Sequence, residues 1–225
     1  MNYLQLVQKA MHRAGVREAA PSTLVGATGI VEDFKEWVAD SWRELQEESP
    51  NWFFRQDLDQ TLAVSASDDK YAMPNGLETL NYRTITIYTT AKQDETPVEW
   101  CDYETWRTNR DTKETSEGRP TEITEDLYGA NIYLWPVPDQ SYTLRYDGVF
   151  LVEELSADTD TPGPAVSFEE RYHWVIVWDA VMRYALAHED GQKYEEASKR
   201  FKKLRARMSE KQMPPVYINA GQLRA

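Results

Sequence analysis

Between Phe168 and Leu186 the chain is apolar almost all round a helix. Trp174-Val175-Ile176-Val177-Trp178 runs straight into Ala180-Val181-Met182, with few charges besides Asp179 and Arg183. A surface helix turns one apolar stripe inward and shows water a polar face. A helix patterned like this one must be covered on most sides, by its own domain or by neighbouring copies. The pattern points to a building block of an assembly and carries no signature of a reaction.

The 225 residues suffice for one large domain or two small ones. Apolar residues make up 41% and aromatic residues 12%, enough to build a core and to argue against wholesale disorder. No apolar run reaches the roughly 20 residues that span a bilayer. The start, Met1-Asn2-Tyr3-Leu4, reads as the opening of a helix rather than an export signal, so we expect a protein that is neither exported nor membrane-bound. The single cysteine, Cys101, excludes an internal disulfide and a cysteine-built zinc site.

Net charge is −13 and unevenly placed. Residues 193–225 carry nine Lys/Arg against three Asp/Glu, a net +6, so the other 192 residues carry sixteen against thirty-five, a net −19. A chain this acidic does not bind nucleic acid by neutralising phosphates. Its acidity fits solubility, or a surface that DNA must pass without sticking.

Hydrophobic period divides the chain. Residues 1–54 read as helices: Leu4, Val7 and Met11 recur at helical spacing, then Phe34, Trp37, Val38, Trp42 and Leu45 share a face that ends near Ser49-Pro50. Residues 55–155 switch to period two and read as an antiparallel β module. Strands are expected at Leu58–Val64, Lys70–Met73, Asn81–Thr90, Asn131–Trp135 and Ser141–Phe150, with Ser67-Asp68-Asp69-Lys70 as a hairpin turn and a helical turn over Asp102–Arg107. Residues 156–166 form a linker. Residues 167–212 carry the C-terminal helices: Ser167-Phe168-Glu169-Glu170 has capping-box spacing, Gly191 marks a break, and a basic amphipathic helix covers Lys193–Met208. Residues 213–225 form an extended tail. The fold class is α+β: a helical bundle made by the N- and C-terminal helices, with an inserted antiparallel β-sandwich or open-barrel module. Trp37, Trp42, Trp174 and Trp178 supply bundle packing or contacts with neighbouring subunits.

Chemical motifs are weak. The histidines are His12, His173 and His188, and no His-Glu-x-x-His occurs. His188-Glu189-Asp190 is suggestive only by residue type. No Gly-x-Ser-x-Gly elbow, phosphate loop or dinucleotide fingerprint is present, and Cys101 beside Trp100 reads as a packed side chain. The acid pairs Asp57/Asp59 and Glu153/Glu154 would serve glycoside cleavage only across a cleft with one raised pKa. Asp158, Asp160, Gly163 and Glu169 match positions 1, 3, 6 and 12 of a calcium loop, but Pro162 and Pro164 break it. We therefore expect no catalytic residue, metal or cofactor. The basic helix, with Lys199, Arg200, Lys202, Lys203, Arg205 and Arg207, reads as a solvated face, as a docking face for an acidic partner, or as a phosphate contact.

The order of the remaining elements resembles the head-to-tail adaptor (connector) proteins of tailed bacteriophages, over nearly the whole chain. An N-terminal helix precedes Gly26-Ala27-Thr28-Gly29 and then Trp37-Val38-Ala39-Asp40-Ser41-Trp42. Ser49-Pro50-Asn51-Trp52-Phe53-Phe54-Arg55 enters the β module, followed by Tyr71-Ala72-Met73-Pro74 and Tyr103-Glu104-Thr105-Trp106-Arg107. Gly118-Arg119-Pro120, Leu134-Trp135-Pro136-Val137-Pro138-Asp139, Tyr142-Thr143-Leu144 and finally Arg171-Tyr172-His173 complete the series.

That resemblance implies a non-enzymatic virion protein at the head–tail junction, made in the host cytoplasm. Its partners would be the portal protein, tail or nozzle proteins and further copies of itself in a ring, commonly twelvefold, through which DNA passes without specific binding. Met213, Pro214, Pro215, Val216, Tyr217 and Ile218, with Arg205 and Arg207, are the expected portal contacts. The alternative reading is a carbohydrate- or receptor-binding β module of a tail structure, with Tyr82, Tyr88, Tyr133 and Tyr142 stacking on sugars.

Overall fold

The computed structural model describes residues 1–89, 94–108, 116–163 and 168–213. Those residues form an α+β protein with five helices and mostly antiparallel sheets. The chain divides into two units: Met1–Arg55 together with the chain from Val152 onward, and Gln56–Leu151.

Helix α1 (Tyr3–Ala14) starts at Asn2, whose side chain accepts from the Gln5 N–H while the Gln5 side chain accepts from the Asn2 N–H. This reciprocal pair satisfies two otherwise orphaned groups. The helix stops at Gly15, in the left-handed region at φ +80. There Lys193 Nζ donates to the Ala14 carbonyl at 2.6 Å, a cation at the negative end of the helix. Helix α2 (Ile30–Glu47) buries Phe34, Val38, Trp42 and Leu45 along one stripe and stops before Ser49-Pro50, as its periodicity predicts.

The second unit runs β1 (Gln56–Val64), β2 (Lys70–Ala72), β3 (Leu77–Leu80), β4 (Thr86–Tyr88), β5 (Thr96–Pro97), β6 (Glu99–Trp100) and the short helix α3 (Tyr103–Trp106). It continues with β7 (Glu117–Gly118), β8 (Glu122–Glu125), β9 (Asn131–Trp135), β10 (Val137–Pro138) and β11 (Tyr142–Phe150). One sheet has the order β1-β11-β4-β5, with β3 also on β11; a second has the order β2-β9-β8-β6; β7 and β10 pair by themselves. Tyr142, Leu144 and Tyr146 face inward from β11, and Ile132 and Leu134 from β9, into one shared apolar core.

Two expected features differ. β1 and β2 are not a hairpin: β1 pairs with β11 and β2 with β9, so the turn at Ser67 (φ +64) carries the chain from one sheet to the other. Among the described residues of the strand expected over Asn81–Thr90, only Thr86–Tyr88 forms one. The Asn81 side chain accepts from the Arg83 N–H and its carbonyl from the Thr84 N–H, so a local turn replaces the first half. The pairs β6–β8 and β7–β10 are parallel, each only two residues long.

After Val152 the chain returns to helix. Glu170–Tyr172 forms a single 3-10 turn and α4 (His173–Ala187) follows, later than the Ser167–Glu170 spacing suggests; Ser167 itself lies outside the described residues. Helix α5 (Gly191–Gln212) opens at Asp190, whose carboxylate accepts from the Lys193 N–H at 2.9 Å. Helix α4 packs against α1, α2 and α5. Val175, Ile176, Val177, Ala180 and Val181 are each at most 1% exposed within the single chain. Of the two ways to cover this helix, its own unit supplies the cover. β-branched residues disfavour a helix by tenths of a kcal/mol each. Burying each large apolar side chain contributes roughly 1.5–3 kcal/mol, and that term wins.

Candidate assembly surfaces

The four tryptophans singled out by sequence take three different places. Trp42 is fully buried, with Phe54 and Phe168 against it at centroid distances of 5.6 and 5.1 Å. Its indole N–H has no acceptor among the described residues, so it acts by packing. Trp37 is half-buried on Phe34 and Tyr184. Trp174 and Trp178 share Arg13, whose guanidinium lies 5.3 and 5.9 Å from their rings, and Arg200 lies 5.2 Å from Trp178.

The basic helix is likewise not uniform. Lys199 and Arg200 face Glu195 and Glu196 one turn back. Arg205 is folded against its own subunit: it sits 4.3 Å over the Trp52 ring, donates from Nε to Glu48 at 3.0 Å, and donates from Nη1 to the Ser209 hydroxyl. Arg207 points outward. With Arg171, Tyr172, Leu204, Glu210 and Lys211 it lines a cleft of about 260 Å³. That cleft stands where α5 gives way to Met213, which is extended and packs on the helical core. Pro214, Pro215, Val216, Tyr217 and Ile218 lie outside the described residues. Sequence reasoning found Arg207 but missed Arg171 and Lys211, which only the fold brings beside it.

Several of the chemical motifs have a local structural use. Asp158 accepts from the Thr23 hydroxyl and the Leu24 N–H, at 2.6 and 3.0 Å. Asp160 accepts from the Ala157 and Ser156 N–H groups, which hold its carboxyl below the usual range. Gly163 is left-handed at φ +63, and a Cβ there would come within 2.9 Å of Phe168 Cβ. Among the described residues no cluster of three His, Cys, Asp or Glu is placed to hold a metal ion. Asp59 is taken by Arg145. Burial, and then the neighbouring Asp147 charge, push Asp57 up, against a lowering hydrogen bond from Gln60. The backbone of Glu153 is paired with Gln46.

In the His188-Glu189-Asp190 group, His188 stacks on Tyr184 and Asp190 caps α5. Burial, aided by the Met1 ammonium 3.0 Å away, pushes His173 down to about 4. Three of the tyrosines read as a sugar platform have local surroundings of their own. Tyr142 is buried and donates to Asp139, the Tyr82 hydroxyl is buried, and Tyr133 packs on Tyr103 and Trp106.

The second unit carries its own surface. At the β8–β9 tip Leu127 is 75% and Tyr128 93% exposed, although both are large and apolar in bulk. In the same unit Leu80, Tyr82, Val98 and Trp100 form the apolar part of an open depression of about 640 Å³.

No curated protein matches the chain. A family model described as SU10 adaptor protein matches residues 1–221. That match spans both units, and the chain therefore belongs to the SU10 adaptor protein family, a phage head–tail adaptor family.

Proposed function

We propose that this chain is a virion structural protein whose copies form a ring beneath the portal, extend the DNA channel and give the tail its attachment platform. The family match over residues 1–221 carries this reading. In the subunit, the helices of both termini act as one bundle and the β unit as an inserted sandwich or open barrel. The role is assembly, not catalysis. The acidic excess of −19 outside residues 193–225 suits a lumen through which DNA slides without phosphate neutralisation.

The portal contact is the segment from Met213 through Pro214, Pro215, Val216, Tyr217 and Ile218, with Arg207 beside its root. Arg205 supports that root from inside by fixing α5 on Trp52. Such a segment docks by adding backbone hydrogen bonds to a partner sheet or by filling a groove. Each copy folds first and joins the ring on the portal, so that tail parts attach only to finished heads. Burial of α4 within one chain supports that order.

Electron cryo-microscopy of intact particles tests the proposal. We expect density for this chain in a ring at the portal vertex. Particles lacking the polypeptide, or turnover of a substrate by the isolated chain, would overturn it.

A further inference from the structure

Turn residues are ordinarily small or polar, yet Asp126-Leu127-Tyr128-Gly129 puts two large apolar side chains at a hairpin tip, 75% and 93% exposed. The tip is held rigidly from below. Asp126 Oδ1 accepts from the Tyr128 and Ala130 N–H groups at 3.1 and 2.8 Å, and Oδ2 accepts from Asn131 Nδ2 at 2.6 Å. Gly129, at φ +64, closes the turn by donating to the Asp126 carbonyl at 3.0 Å. A projection whose backbone is already fixed loses less freedom when it is buried in a partner, and tyrosine is enriched among the residues that dominate such contacts.

The same unit offers a matching depression. Val98 forms its buried floor, Tyr82 and Trp100 pack together at 5.2 Å, and Trp100 remains 47% exposed. Arg83 lines it, exposed and with no carboxylate partner among the described residues; Glu99 lines it too. The projection rises from an ionised base, because the Asn131 side chain and the Ala130 and Tyr128 N–H groups hold the Asp126 carboxyl below its usual range. The apolar tip suits the apolar floor, and Asp126 suits Arg83.

We infer that Leu127 and Tyr128 of one copy insert into the Tyr82–Val98–Trp100 depression of the next, with Asp126 against Arg83. This deepens the ring reading above and rests on it. Residues 56–151 carry eight Lys/Arg against eighteen Asp/Glu, a net −10, so two such units repel at long range. A close contact between them needs an apolar anchor and a local charge match, and the tip and depression provide both. Where each copy's tip meets the next copy's depression by one repeated rotation that closes on itself, the contact is heterologous and generates a ring.

The test places a benzophenone-bearing phenylalanine at position 128 of the full chain and irradiates assembled particles. We expect adducts between copies that map to the peptides holding Tyr82 or Val98–Trp100. A second variant, Leu127→Asp, should raise the subunit concentration needed for ring assembly by about tenfold or more while leaving the isolated subunit's unfolding midpoint unchanged. Rings at the portal vertex without that adduct, or with adducts to another polypeptide, would overturn the tip-in-depression contact and leave the ring reading standing. Particles with no ring of this chain would overturn both.

Discussion

Arg205 lies 4.3 Å over the centre of the Trp52 ring, and Trp52, itself fully buried, donates its indole N–H to the Leu45 carbonyl at 2.9 Å. One stack thus fastens α5 to the end of α2. The ion pair with the half-exposed Glu48 contributes little, whereas the cation over the indole and the buried aliphatic stem contribute more. Arg205→Ala should lower stability by about 1–3 kcal/mol. Arg207→Ala should leave it within about 0.5 kcal/mol and weaken portal attachment. Urea denaturation and portal co-sedimentation of both variants separate the two roles.

Gln46 pairs both ways with the backbone of Glu153, donating to its carbonyl and accepting from its N–H, each at 2.9 Å. The side chain is 2% exposed and ties α2 to the start of the returning chain. In Gln46→Leu two backbone groups lose their partner, which should cost about 2–4 kcal/mol. An unchanged denaturation midpoint would refute this account.

His173 binds protons more weakly in the folded protein, at about 4, than the ordinary 6.5 of an unfolded chain. The unfolded state therefore takes up a proton first as pH falls. Stability contributed by neutral His173 is present above about 6.5 and is lost progressively between about 6.5 and about 4. The loss should reach roughly 2–3 kcal/mol. Urea titrations at pH 7 and pH 4.5 should show it, and His173→Gln should flatten that interval.

Removing Pro214–Ala225 should abolish attachment to the portal while the thermal midpoint stays within about 2 °C, since the deletion begins beyond α5. Co-purification with the portal protein, beside a melting curve, checks both halves. Retained attachment would move the portal contact to another surface.

Strongly periodic elements were legible in the sequence. The Phe34, Val38, Trp42 and Leu45 stripe and the Tyr142, Leu144 and Tyr146 alternation each match one regular period, and tertiary packing agrees with both. Pairing was not legible, because the short Ser67–Lys70 turn looks the same whether the strands it joins meet or part. Asn81 outweighed a good strand pattern through hydrogen bonds that no periodicity reports. Arg205 and Arg207, alike on paper, differ only in what other segments place next to them. The Leu127-Tyr128 tip did leave a trace: two apolar residues between Asp126 and Gly129, where a hairpin turn has no packing use for them.

The sheathing of α4 by α1, α2 and α5 has a further consequence. Within a single chain the interior around this helix is already complete. Residues that meet other proteins can then be exchanged one at a time without endangering the polypeptide's own integrity, so a docking specificity can be rewritten on an unaltered frame.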